Sequence, residues 1–130
     1  MTDTAADNKP RVWEDGGIVH ISYPPGAKVD LPMAEYTFAR RREFLAASGQ
    51  KRHRIMIVGT RITAFDRAAY RFSAGLEVSG TVTAAALVCT STLERYMSSL
   101  FINMWRPRYP IRIFESVETA RRWLDTFADS

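Results

Sequence analysis

Cys89 and Arg95 stand in the run Cys89-Thr90-Ser91-Thr92-Leu93-Glu94-Arg95, the C-x5-R spacing of a cysteine phosphatase. That chemistry needs a thiolate, which a helix N-terminus favours, and a loop whose backbone N–H groups converge on phosphate. This loop has no glycine to let them converge, and Glu94 would repel the dianion. The same residues read more simply as a buried strand cysteine followed by a capping box, Ser91 with Glu94 three residues on. His20 and His53 are the two histidines and fall on different elements. With one cysteine and no clustered carboxylates, no metal-ligand set can be written, and no cofactor is implied. His20 reads as a strand residue on a partly covered face, and His53 as one member of a basic turn.

The basic residues offer a different chemistry. Lys51-Arg52-His53-Arg54 and Arg106-Pro107-Arg108 both follow helices, and Trp105 and Tyr109 flank the second. Such a set could hold nucleic acid or acidic lipid. No nucleic-acid module accompanies it, so solvated turns are expected and nucleic-acid binding is not. Arg41 falls in the middle of an apolar helix stripe. Either its stem packs while the guanidinium snorkels to water, or it is an inward charge paired with a carboxylate or an anionic ligand.

The elements that position these residues follow from pattern. Residues 1–10 read as a loose tail, and 11–130 as one domain. Arg11 to Glu14 and Gly17 to Tyr23 form a hairpin around Asp15-Gly16. Asp30 caps a helix over 31–48, stopped by Gly49, with Met33, Ala34, Thr37, Phe38, Phe44 and Leu45 inward. Ile55 to Val58 is an apolar strand covered on both faces. Asp66 caps a second helix to about Ser79, with Ala68, Ala69, Phe72 and Leu76 inward. Val82 to Cys89 is the next strand, and Ser91 opens a helix to about Trp105 whose core face is Leu93, Tyr96, Met97, Leu100 and Met104. Ile111 to Phe114 is the last strand, and Ser116 caps a closing helix with Val117, Ala120, Trp123, Leu124 and Phe127 inward. The order ββαβαβαβα implies an α/β fold, a five-stranded, mainly parallel sheet with four helices and right-handed crossovers. The loops after strands then gather at one sheet edge, where ligand sites are favoured.

Composition bounds the function classes. Hydrophobic residues are 46% and charged residues 25%, which excludes a disordered chain. The longest apolar run, Ala84 to Cys89, is too short to span a bilayer. MTDTAADNKP lacks the basic-then-apolar pattern of a secretory leader, and the lone Cys89 suits a reducing cytoplasm. The net charge of +4 permits an acidic partner without requiring one.

Ile55-Met56-Ile57-Val58-Gly59-Thr60-Arg61-Ile62-Thr63-Ala64-Phe65-Asp66 resembles the STAS segment in which a strand, a short loop and an apolar-Asp pair lead into a helix. Thr83 to Val88, Pro110 to Glu115 and Ala120 to Leu124 look like small stand-alone bacterial STAS/SEC14-like proteins, and the similarity spans about 11–127. The resemblance implies a non-enzymatic regulatory or binding domain. STAS antagonists carry a phosphorylatable Ser after the Asp. Here Asp66 is followed by Arg67-Ala68-Ala69, so that switch has no hydroxyl.

The leading expectation is therefore a cytoplasmic regulatory or protein-interaction module. It would dock an anion or protein partner at Thr60, Arg61, Asp66 and Arg67, around a helix N-terminus. Tyr70, Ala74 and Val78 on the second helix, with Phe101, Ile102 and Trp105 on the third, are surplus apolar residues that suggest a homodimer interface. The alternative is a SEC14-like domain binding a small hydrophobic or anionic ligand. The phosphatase is the third.

Overall fold

Gly16 and Gly17 make the first turn. Their φ values of 64° and 79° are the paired left-handed conformations of a type I′ hairpin loop. The register Asp15↔Ile18 closes it, so the turn lies one residue beyond the expected Asp15-Gly16 pair. The structure, a computed structural model, describes residues 9–58 and 64–128, apart from the side chains of Ala64, Phe101 and Trp105.

The described elements are β1 (Arg11–Asp15), β2 (Ile18–Ser22), β3 (Lys28–Val29), α1 (Leu31–Ser48), β4 (His53–Val58), β5 (Ala64–Phe65), α2 (Arg67–Ala74), α3 (Leu76–Ser79), β6 (Val82–Val88), α4 (Thr92–Trp105), β7 (Ile111–Phe114) and α5 (Val117–Asp125). Five strands form one sheet in the order β1-β2-β4-β6-β7. β1 and β2 are antiparallel, and the other pairs are parallel, with Met56 beside Ala86 and Ile57 beside Leu87. The expected α/β fold therefore stands. β3 and β5 add a two-stranded parallel sheet, with Val29 beside Phe65, which two residues are too few to announce by periodicity.

Each long helix begins on the cap its sequence supplies. Asp30 accepts from Met33 N at 3.0 Å, Asp66 from Ala68 N at 3.3 Å, Ser91 from Glu94 N at 3.0 Å and Ser116 from Thr119 N at 3.2 Å. Between α2 and α3 the expected single helix is broken. Gly75 is extended (φ −64°, ψ 154°), and α3 restarts after it on a new axis. The break overturns two assignments. Val78, expected outside as an interface residue, is buried, and Leu76, expected inside, is exposed.

The two faces of the sheet are covered differently. On one, α5 lays Ala120 and Leu124 on Ile18, Met56, Ala84, Ala86 and Val88, and Trp123 and Phe127 close the edge. On the other stand α1, α2, α3 and α4. There Val19, Ile21, Ile55, Val82 and Ala85 form the sheet's contribution, with Phe44, Tyr23 and Tyr109 against them. α4 is the main departure from expectation. Leu93, Tyr96, Met97, Leu100 and Met104, read as its core face, are exposed, Met104 to 83%. The wheel located that apolar stripe correctly, but α4 turns Glu94, Ser98 and Ile102 toward the interior instead.

The contrast between faces sets a stability test. Leu124→Ala, at a fully buried site, should lower unfolding stability by about 2–5 kcal/mol. Leu76→Ala should change it by less than about 0.5 kcal/mol, because a side chain 67% exposed buries little. Urea titration of the two variants measures both.

Candidate functional site

Between the sheet and the α1–α4 layer lies a cavity of about 550 Å³. Its floor is Ile21, Ile55, Ile57, Ala85 and Leu87, and its walls include Phe38, Phe65 and Ile102. Two features of the sequence leave the space open. Ala85 sits between Ile55 and Ile111 on the neighbouring strands, so the middle of the floor is low. Ala34 presents a similarly short side chain from α1. Val82 and Leu87 both line it, five residues apart at about 3.3 Å each, so it runs roughly 15 Å along the strands. Leu93 and Met97 line it yet stay exposed, which marks its rim at α4.

A slip in strand pairing shapes the end near the strand starts. His53 lies opposite Val82 but Arg54 opposite Ala84, leaving Thr83 as the extra residue of a bulge. The strict alternation of a strand would send Val82 to the α5 face with Ala84 and Ala86. The bulge returns it to the cavity, beside Ala85 and Leu87.

Arg41 enters at this end and is 4% exposed. Its Nε donates to His53 Nε2 at 2.9 Å, and Nη2 donates to Thr81 Oγ1 at 2.6 Å. The Thr81 hydroxyl hydrogen goes to Val78 O at 2.6 Å, so its lone pair is held toward the guanidinium. The Phe38 ring lies 5.6 Å from the guanidinium carbon. Of the two readings of Arg41, the inward charge is the one the structure adopts. Among the described residues no carboxylate pairs with it. His53, expected in a solvated turn, is instead the first residue of β4 and buried beneath Arg41.

Electrostatics follows from burial. Desolvation pushes Arg41 down to about 10, and the phenols of Tyr109 and Tyr23 oppose the shift. The guanidinium therefore keeps its charge at neutral pH. Burial, with Arg41 beside it, drives His53 from 6.5 to about 3, so the imidazole stays neutral and accepts at Nε2. Burial also raises both phenols, Tyr109 to about 12, and both remain protonated. The end of the cavity thus holds a fixed cation among neutral groups.

The other candidate residues separate. Thr60 and Arg61 lie outside the described residues. Asp66 spends its carboxylate as the α2 cap, and Arg67 is exposed beside it. Tyr70 and Ala74 are half-buried, and Ile102 lines the cavity, while the side chains of Phe101 and Trp105 lie outside the described set. Cys89 is fully buried, its sulfur 3.6 Å from Ser98 Oγ. Arg95 turns to the Cys89 carbonyl at 3.4 Å and to Glu115 at 3.5 Å, rather than over the thiol. His20 is buried too, stacked on Trp13 with centroids 5.2 Å apart and its Nδ1 3.1 Å from Ile18 O. Of the basic turn, Arg54 bonds the Gly17 and Leu124 carbonyls at 3.3 Å each, and Asp125 at 3.4 Å. Among the described residues no three of His, Cys, Asp and Glu come together, and no helix is long and apolar enough to cross a membrane.

A family model described as a domain of unknown function, DUF7793, matches residues 12–128. No curated protein matches the chain in sequence. Among solved structures, it is similar to an uncharacterized protein of the DUF3478 family with a SpoIIAA-like fold from Shewanella loihica PV-4. That match has a TM-score of 0.62 and 14% identity, covering 88% of this chain and 91% of that one. The likeness bears out the STAS-like architecture expected from the Ile55–Asp66 segment.

The neutral imidazole has a measurable consequence. The unfolded chain protonates His53 near pH 6.5, whereas the fold does so only near 3, so the unfolded state binds more protons in between. This contribution to stability is whole above pH 6.5 and is lost as pH falls toward 3, by up to about 1.4 kcal/mol per unit. Urea midpoints should decline across that window. The slope should be shallower in His53→Gln, which keeps an acceptor for Arg41 but does not titrate.

Proposed function

The chain belongs to the DUF7793 family, and we propose that it is a non-enzymatic, STAS-like regulatory module whose signal is a small apolar ligand held between its sheet and α4. The observation that carries this reading is the 550 Å³ cavity, which falls within the range of about 300–1,000 Å³ typical of ligand sites. Its lining is mostly apolar, and the exposed Leu93 and Met97 at its rim leave it open at α4 for a ligand to enter. An apolar space of this size suits an occupant better than vacancy. The module works in the cytoplasm, where a lone buried thiol such as Cys89 stays reduced.

A neutral fluorophore tests the cavity without engaging its charge. N-phenyl-1-naphthylamine should brighten on binding the purified protein. Ser73→Trp, which places an indole in the cavity from α2, should weaken that binding at least tenfold with the circular dichroism unchanged. A folded protein that leaves the dye dark ends the reading.

The expected homodimer finds its support on α4 rather than on α2. Leu93, Tyr96, Leu100 and Met104 form an exposed apolar strip, and a two-fold pairing of such strips would bury both. Sedimentation should give a dimer for the wild-type chain and a monomer for Leu100→Lys. A monomer in both cases removes the pairing.

A further inference from the structure

A guanidinium has five N–H donors, and two of those of Arg41 are used, one by His53 and one by Thr81. Those two bonds hold the side chain by its Nε side and leave the outer edge, Nη1 and the second hydrogen of Nη2, without a protein partner among the described residues. This edge is the planar fork that takes a carboxylate through two parallel hydrogen bonds. Arg41 is 4% exposed and is among the residues that line the cavity. A buried cation without an anion is costly, and the groups around it supply none: His53 is neutral, Thr81 is a hydroxyl, and Tyr23 and Tyr109 are protonated phenols. The cavity's acidic lining residue, Glu94, belongs to α4 at the C-terminal end of β6, whereas Arg41 meets His53 and Thr81 at the starts of β4 and β6. Between those ends the lining is mostly aliphatic and aromatic, with the uncharged hydroxyls of Thr37, Ser73 and Ser98.

We infer that the cavity receives a single-tailed amphiphile with one negative charge, a medium- or long-chain carboxylate, its head on the outer edge of Arg41 and its tail along β6 toward Leu87. The inference rests on the cavity being a ligand site. One fixed positive charge matches one delocalised negative charge, and among the described lining residues no second cation meets the extra charge of a dianionic phosphate head. The roughly 15 Å run from Val82 to Leu87 suits an extended chain better than a compact ring system.

Calorimetry on protein stripped of bound lipid compares decanoate with decan-1-ol, which share a tail and differ in charge. Wild-type protein should bind decanoate at least tenfold more tightly, and decyl phosphate more weakly than decanoate. Arg41→Met should bind the acid and the alcohol alike, and Arg41→Lys should keep part of the preference. If Arg41→Met fails to fold, the Arg41 Nε–H resonance of the wild-type protein serves instead, shifting with decanoate and not with decanol. Equal affinity for acid and alcohol in the wild type overturns the head-group assignment while the cavity reading survives. A preference that persists in Arg41→Met overturns the role of Arg41, and a preference for decyl phosphate overturns the carboxylate class. Loss of naphthylamine binding in the wild type would remove the cavity reading and this inference with it.

Discussion

The contact between Arg41 and His53 depends on three elements being in place at once. α1 must lie across the sheet so that Arg41, in its third turn, points inward, β4 must begin as early as His53, and the loop before β6 must bring Thr81 alongside. Each is secured locally. Asp30 and Gly49 fix the ends of α1, the bond from His53 N to Thr81 O at 3.0 Å ties the start of β4 to the start of β6, and the bulge at Thr83 sets the face of Val82. The polar cluster therefore acts as a pin. It ties α1 to the starts of β4 and β6 at one end of the cavity.

The two faces of the sheet show what that pin does for the rest. On the α5 face, side chains of ordinary size fill the space, and Met56, Leu124 and Ile18 are fully buried, with the buried His20 beside Met56. On the opposite face α1, α2 and β3 draw together through Ala34, Ala69, Phe72 and Val29, forming a cluster of their own. α4 is left over. Glu94, Ser98 and Ile102 turn toward the cavity with Leu93 and Met97 at its rim, while Tyr96, Leu100 and Met104 face out. An open space below and an exposed strip above are two consequences of the same stand-off.

Much of this was legible in the residues. Caps and stops gave the helix ends because their chemistry is local: a side-chain oxygen at Asp30, Ser91 or Ser116, a left-handed Gly49. Apolar runs gave the parallel strands. Arg41 announced itself as a charge in an apolar stripe, and that was the one signal in the sequence for the site. Its partner was hidden because His53 sits among Lys51, Arg52 and Arg54, where composition says turn and only strand pairing says otherwise. The break at Gly75 was hidden for a related reason. A glycine inside a helical pattern is tolerated as often as it ends one, so the pattern carried Leu76 and Val78 to the wrong sides. The cavity could not be read at all. Periodicity reports which positions are apolar, and it carries no information on whether Ala85 and Ala34 together fill the distance between a strand and a helix.

Two expensive features coincide in one place: a charge out of water and an apolar volume without side chains. Either one alone could be a local accident of packing, offset by the well-filled α5 face. Their adjacency is harder to obtain by accident, since each makes the other worse. The apolar walls offer the cation no anion, and the cation gives the apolar walls nothing to bury against. A single occupant with a charged end and an apolar body relieves both, and its binding would return stability to the fold by mass action, about 2.7 kcal/mol at a hundredfold excess over its dissociation constant. The energy withheld from the empty domain at Arg41 would then be energy available for recognising what fills it, and α4, bound to the sheet chiefly along β7, is the element that such an occupant would underlie.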